Sequence, residues 1–135
     1  MEGKSEKFEL GRKTRQSVLG SEHVARAEAN QSEFDLPFQE LITEGAWGSV
    51  WSRENWSKRE RSMVTIALLA ALGHLDECAM HVRAAQNTGA TRDDIREAVL
   101  HVAIYAGVPA ANSAIKVIKD VFQTIDAESR NSNEK

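Results

Sequence analysis

Apolar positions along this chain recur three and four residues apart and nowhere alternate strictly with polar ones, a spacing that predicts helices and no strands. Residues 4–18 read as a charged amphipathic helix stopped at Gly20, and Ser21 stands where it can cap a second, short helix reaching about Asn30. Asp35 is the expected cap of a third helix, with Pro37 in its first turn, running toward Trp51. Gly45 and Gly48 mark a break in its later half. Ser57 and Glu60 have the spacing of a capping box ahead of Lys58 to Leu72. Gly73 closes that helix, and the next runs from about His74 to Thr88 before Gly89. Thr91, followed by Asp93 and Asp94, caps a helix that reaches Tyr105 and stops near Gly107. Pro109 opens the last helix, expected to end near Asp126. The pattern predicts an all-α bundle of about six to seven helices, one domain over residues 1–127, with a flexible polar tail at 128–135.

Two of these helices are apolar almost all round: MVTIALLAAL (63–72) and AVLHVAIYA (98–106). A helix without a polar face has to be surrounded. A chain of 135 residues has few other helices to enclose two such rods, so a neighbouring subunit is the simplest cover and a homo-oligomer is expected. The alternative is that both lie in the core of a single chain.

The bulk numbers narrow the function classes. Hydrophobic residues at 41% and charged residues at 27% suit a globular domain and not a disordered one. A net charge of -3 makes a nucleic-acid partner a poor expectation. Cys78 is the single cysteine, so no intrachain disulfide can form. Met1 to Leu10 is polar and has no signal-peptide core, and the apolar run Met63 to Leu72 is far short of a membrane span. A cytoplasmic setting is expected.

The chemistry concentrates in HLDECAMH (74–81). At about 100° per residue, His74, Glu77, Cys78 and His81 share one sector of a helix, beside an apolar stripe of Leu75, Ala79 and Val82. A Glu77–His81 pair at the edge of a buried surface can donate or accept a proton near neutral pH. The same spacing also suits an ordinary helix-stabilising pair. Arg83 lies about 200° round from His81 and is suited to an interface ion pair or a neighbour's site. Glu97, His101 and Tyr105 repeat the four-residue step, with His101 expected as a hydrogen-bonded core histidine. Dinuclear carboxylate bundles use Glu-x-x-His with further carboxylates, so no metal is expected here. In TEGAWGSVW (43–51), Trp47 and Trp51 among glycines form either an aromatic wall or ordinary core packing. Trp56 reads as packing. No C-x-x-C, G-x-S-x-G, P-loop or G-x-G-x-x-G is present, so neither a nucleotide cofactor nor a covalent nucleophile is indicated.

The segments PFQELITEGAWGSVWSRE (37–54), HVRAAQNTGATRDDIREAVLHVAIYAGVPAA (81–111), KVIKDVF (116–122) and RQSVLGSEHV (15–24) together resemble the carboxymuconolactone decarboxylase family over nearly the whole chain. The wider superfamily includes alkyl-hydroperoxidase-type proteins with C-x-x-C, three residues and then His. If that His is His81, the two cysteines fall on His74 and Glu77, and an acidic residue one helix earlier falls on Ser62. All three are absent, which argues against peroxidase chemistry on Cys78.

The resemblance implies an alkyl-hydroperoxidase-like helical fold in a ring-like homo-oligomer, a hexamer. It implies cofactor-free conversion of 4-carboxymuconolactone to β-ketoadipate enol-lactone and CO2, within protocatechuate breakdown. On that reading His81 is the proton donor or the donor to the dienolate oxygen, Glu77 orients and tunes it, and Trp47 and Trp51 supply an apolar wall. Tyr105 or His101 gives a secondary donor, and Arg83 from a neighbouring subunit, Arg53 or Arg61 holds the remaining carboxylate. The alternatives, in order, are a related decarboxylase or isomerase acting on another small lactone acid, a non-enzymatic oligomeric module, and a thiol peroxidase.

Overall fold

A computed structural model of the chain describes residues 3–133. Among them it contains seven α-helices, one π-helical segment and no strand. The chain divides into two compact units, Met1–Lys58 and Arg59–Lys135, where the pattern of the sequence suggests one continuous domain.

In the first unit, α1 (Glu6–Leu19) starts at Ser5, whose hydroxyl accepts a 3.0 Å bond from the Phe8 amide. The amide of Gly20, at φ 95°, donates back to the Gln16 carbonyl and closes the helix. α2 (Ser21–Ala29) begins directly on Gly20, so Ser21 is its first residue and not the cap the sequence suggests. Asp35 precedes α3 (Leu36–Ile42) but does not cap it; its carboxylate instead accepts bonds from the Ser32 amide and hydroxyl at 2.7 and 3.2 Å, tightening the turn before the helix.

The expected break at Gly45 and Gly48 is absent, because the chain widens into a π-helix over Thr43–Trp51. Such segments are rare, since each turn must hold an extra residue, and they recur at functional sites. Here the widened turn packs against α1 at backbone distance. A Cβ added at Gly48 would lie 2.5 Å from the Lys7 carbonyl oxygen, and one at Gly11 would overlap the Thr43 carbonyl oxygen. Only two glycines allow this approach. Ser52 secures the end of the segment by donating 2.6 Å to the Trp47 carbonyl, and its hydroxyl also bonds that of Thr14 at 2.8 Å.

The second unit holds α4 (Lys58–Leu72), α5 (Leu75–Thr88), α6 (Arg92–Tyr105) and α7 (Val108–Asn133). The first residue of α4, Lys58, belongs to the first unit. The α7 helix packs on both α5 and α6. Their facing residues, among them Val82, Ile95, Val99, Val102, Ala114 and Ile118, are nearly all removed from solvent, with Ile66 and Ala70 of α4 in the same core. Gly89 ends α5 in the left-handed region, φ 88°, which costs a glycine little. Thr91 caps α6 as expected: its hydroxyl accepts from the Asp94 amide, and the Asp94 carboxylate accepts from the Thr91 amide. Arg59 adds a two-bond fork to that carboxylate at 2.6 and 2.8 Å. Both contacts hold the Asp94 carboxyl far below the usual range, the Arg59 bonds most of all. The α7 helix continues to Asn133 and so takes in much of the stretch expected as a tail; residues 134 and 135 lie outside those described.

The apolar helices are only half enclosed. Leu68 and Leu72 on α4, and Leu100 and Ile104 on α6, are 54 to 77% exposed. No helix among the described residues is long and apolar enough to cross a membrane.

Candidate active site

Helix α5 divides its two proton-active groups between environments. His81 falls on the face shared with Cys78, Val82, Ala84 and Ala85 and is 7% exposed, whereas Glu77, one turn earlier, is exposed. Helical spacing keeps the two within reach of each other as i, i+4 neighbours. His74 sits at the start of the helix and is exposed. A histidine buried on an otherwise apolar face is a costly placement, since its polar ring must be satisfied or used.

Cys78 is fully buried, and burial pushes its thiol above the ordinary range, the reverse of what a thiolate nucleophile needs. Ser62 is also fully buried; its hydroxyl is 2.7 Å from that of Thr88. Arg61 beside it is 9% exposed. Among the described residues, no three His, Cys, Asp or Glu side chains gather as a metal site would require.

The stripe on α6 faces the other way from expectation. The core face of this helix is Ile95, Ala98, Val99 and Val102. Glu97, His101 and Tyr105 fall opposite and are exposed, Tyr105 at 84%. His101 is therefore not a core histidine of this chain. Its ring stacks on Tyr105, with centroids 6.1 Å apart and planes 13° from parallel. The flanking apolar residues Leu100 and Ile104 are themselves on the outside.

Arg83 is exposed and forks onto Glu128 of α7 at 3.0 and 3.2 Å, an ion pair within the chain. Arg53 is exposed in the first unit. Also in that unit, Trp47 and Trp51 are 5 and 6% exposed and lie ring to ring, 5.1 Å between centroids and 33° apart in plane. The π-helix places them four apart on its buried side, with Thr43 and Gly48. Trp56, read as packing, is 44% exposed.

A cluster that no sequence motif marks, Arg12, Arg15, His23 and Glu28, lies on α1 and α2.

Residues 37–120 match the model of the carboxymuconolactone decarboxylase family. The chain belongs to that family. Among curated relatives, it is 43% identical over 120 residues to a 4-carboxymuconolactone decarboxylase of Acinetobacter baylyi, covering 89% of this chain and 90% of that one. It is 46% identical over 110 residues to a nitrosuccinic acid decarboxylase of Metarhizium robertsii, covering 82% of this chain and 77% of the other. An uncharacterized 15.0 kDa protein of Paracoccus denitrificans is 30% identical over 84 residues, 61% of this chain and 63% of its own. For this member of the family, both relatives named for an activity are decarboxylases, and neither name implies a thiol reaction.

Proposed function

We propose that this protein releases CO2 from 4-carboxymuconolactone to form β-ketoadipate enol-lactone, with no cofactor, as a step in protocatechuate breakdown in the cytoplasm. The Acinetobacter relative, matched along nine-tenths of its length, supports the substrate. The observation that carries the residue assignment is the burial of His81 on the apolar face of α5.

The chemistry asks little of the protein. The departing carboxylate sits on a ring carbon joined through C=C to the lactone carbonyl. As the C–C bond to the carboxylate breaks, its electron pair moves through the double bond onto the carbonyl oxygen, giving an oxyfuran-like dienolate. Protonation at the carbon next to the carbonyl then restores the lactone with its double bond shifted. The reaction needs one proton, a donor for the developing oxyanion and an apolar surface that disfavours the localised carboxylate. His81 supplies the proton, which solvent replaces after turnover, and Glu77 acts as a positioning residue one turn away. A homo-oligomer, a hexamer by resemblance, covers the exposed apolar faces of α4 and α6 and brings Arg83, His101 and Tyr105 toward a neighbouring chain.

A second substrate is favoured by the nitrosuccinic acid relative. There the nitro group takes the electron pair, and the same proton delivery completes the reaction. Incubation of the purified protein with freshly made 4-carboxymuconolactone and, separately, with nitrosuccinate decides between them. The proposal expects CO2 and loss of lactone absorbance at least tenfold faster with the lactone. Preference for nitrosuccinate supports the second reading, and no release from either refutes both.

A further inference from the structure

The helical hairpin of α1 and α2 holds a guanidinium that no group in the protein fully answers. Arg15 is half-buried, and its Nε is shielded from solvent without a hydrogen-bond partner among the described residues. The neighbouring arginine is already committed: Arg12 forks onto Glu28 at 2.7 and 2.9 Å. Glu28 thus has its two oxygens on Arg12 and reaches Arg15 only through space. Across the hairpin stands His23, also half-buried. Burial first, then the positive charges of Arg15 and of Arg26 on its own helix, hold its pKa below the ordinary value. At neutral pH the imidazole is uncharged and can still donate one N–H.

The result is a local excess of positive charge, with the Arg12–Glu28 pair neutral and Arg15 unanswered beside a neutral donor. A planar guanidinium with a free Nε–H is shaped for a carboxylate. We infer that Arg15, assisted by His23, forms a binding site for one carboxylate of a small organic acid on the α1–α2 hairpin. Such a ligand completes the hydrogen bonding of Arg15 and screens His23 from its charge. The ligand has two candidate sources: the carboxylate that the decarboxylation substrate retains, or a separate acid acting as effector. The first source rests on the proposed reaction; the site itself does not.

The test is titration of the full-length protein with succinate, followed through the ring proton resonance of His23 by nuclear magnetic resonance. Binding is expected to saturate and to move the His23 midpoint upward, because an anion beside the ring favours its protonated form. In Arg15→Gln, saturation is expected to disappear, and the midpoint without succinate to rise, since one of the cations that lower it is gone. Arg15→Lys keeps the charge without the fork, and is expected to bind at least tenfold more weakly; a circular dichroism melt of each variant establishes folding. A His23 titration indifferent to succinate in the parent protein, or equal binding in a folded Arg15→Gln, overturns the inference. Steady-state kinetics separates the sources. A KM raised tenfold or more in Arg15→Gln with little change in kcat assigns the site to substrate, and an unchanged KM in a variant that has lost succinate assigns it to a separate acid.

Discussion

Replacing Gly11 with Ala tests the close contact between α1 and the π-helical segment, and here the physical argument reverses the usual sign. In the interior of a helix, Gly→Ala is ordinarily favourable by about 1 kcal/mol, because glycine loses more backbone freedom on folding. At Gly11, however, the new methyl group would overlap the Thr43 carbonyl oxygen and sit 2.8 Å from the Gly48 amide nitrogen. Both obstacles are backbone, so no side chain can swing aside. Overpacking of this kind costs about 1–3 kcal/mol, and immovable neighbours argue for the upper end, near 3. The net expectation is a loss of about 2 kcal/mol. At roughly 4 °C per kcal/mol for a domain of this size, the melting temperature falls by roughly 8 °C. Gly45→Ala is the matched control: it lies in the same π-helix with nothing within 4 Å of its Cβ, and is expected to be neutral or slightly stabilising. The assay is thermal unfolding followed by circular dichroism and by tryptophan fluorescence. A Gly11→Ala protein that melts at or above the parent temperature refutes the close packing described here.

Three further outcomes follow from individual contacts. Because its folded-state pKa is depressed, Asp94 contributes stability above about pH 4, where its unfolded form is ionised, and that contribution fades as pH falls below this value. The gap in urea midpoint between parent and Asp94→Asn should therefore be widest near neutrality and shrink toward pH 2. Cys78, buried with a raised pKa, should react with a disulfide reagent far more slowly than free cysteine, and Cys78→Ser should keep decarboxylase activity within a few-fold. Ile104→Glu, at a position 77% exposed on one chain, should leave the monomer folded but lower its assembly state in analytical ultracentrifugation. An unchanged sedimentation coefficient would remove α6 from the proposed interface.

The helices of the second unit were legible because their signals are local. Gly73, Gly89 and the Thr91–Asp94 pair act on their own backbone neighbours, and no distant contact overrides them. The first unit was harder for the same reason inverted. The π-helical segment meets α1 at Gly11, which faces Thr43 and Gly48, and at Gly48, which faces Lys7, a long-range contact with no sequence period of its own. Ser21 misled because Gly20 serves two helices at once, closing α1 and starting α2.

At the candidate site, helical spacing puts His74, Glu77, Cys78 and His81 in one sector, yet only Cys78 and His81 are buried, while Glu77 and His74 are exposed. Spacing could not tell the inner face of α6 from the outer, because Leu100 and Ile104 are as apolar as Val99 and Val102. Hydrophobicity alone marks core positions and exposed apolar ones alike. The unanswered charge of Arg15 arises from what Arg12 and Glu28 do to each other, which no linear pattern records.

The most direct measurement of the proposed mechanism is the turnover of a folded His81→Ala protein with 4-carboxymuconolactone, read as CO2 release across pH 5 to 8. Loss of a positioned acid is expected to cut turnover by about 10²-fold or more and to erase any histidine-like inflection in the pH profile. Activity within a few-fold of the parent, with the inflection intact, contradicts the assignment of the proton to His81.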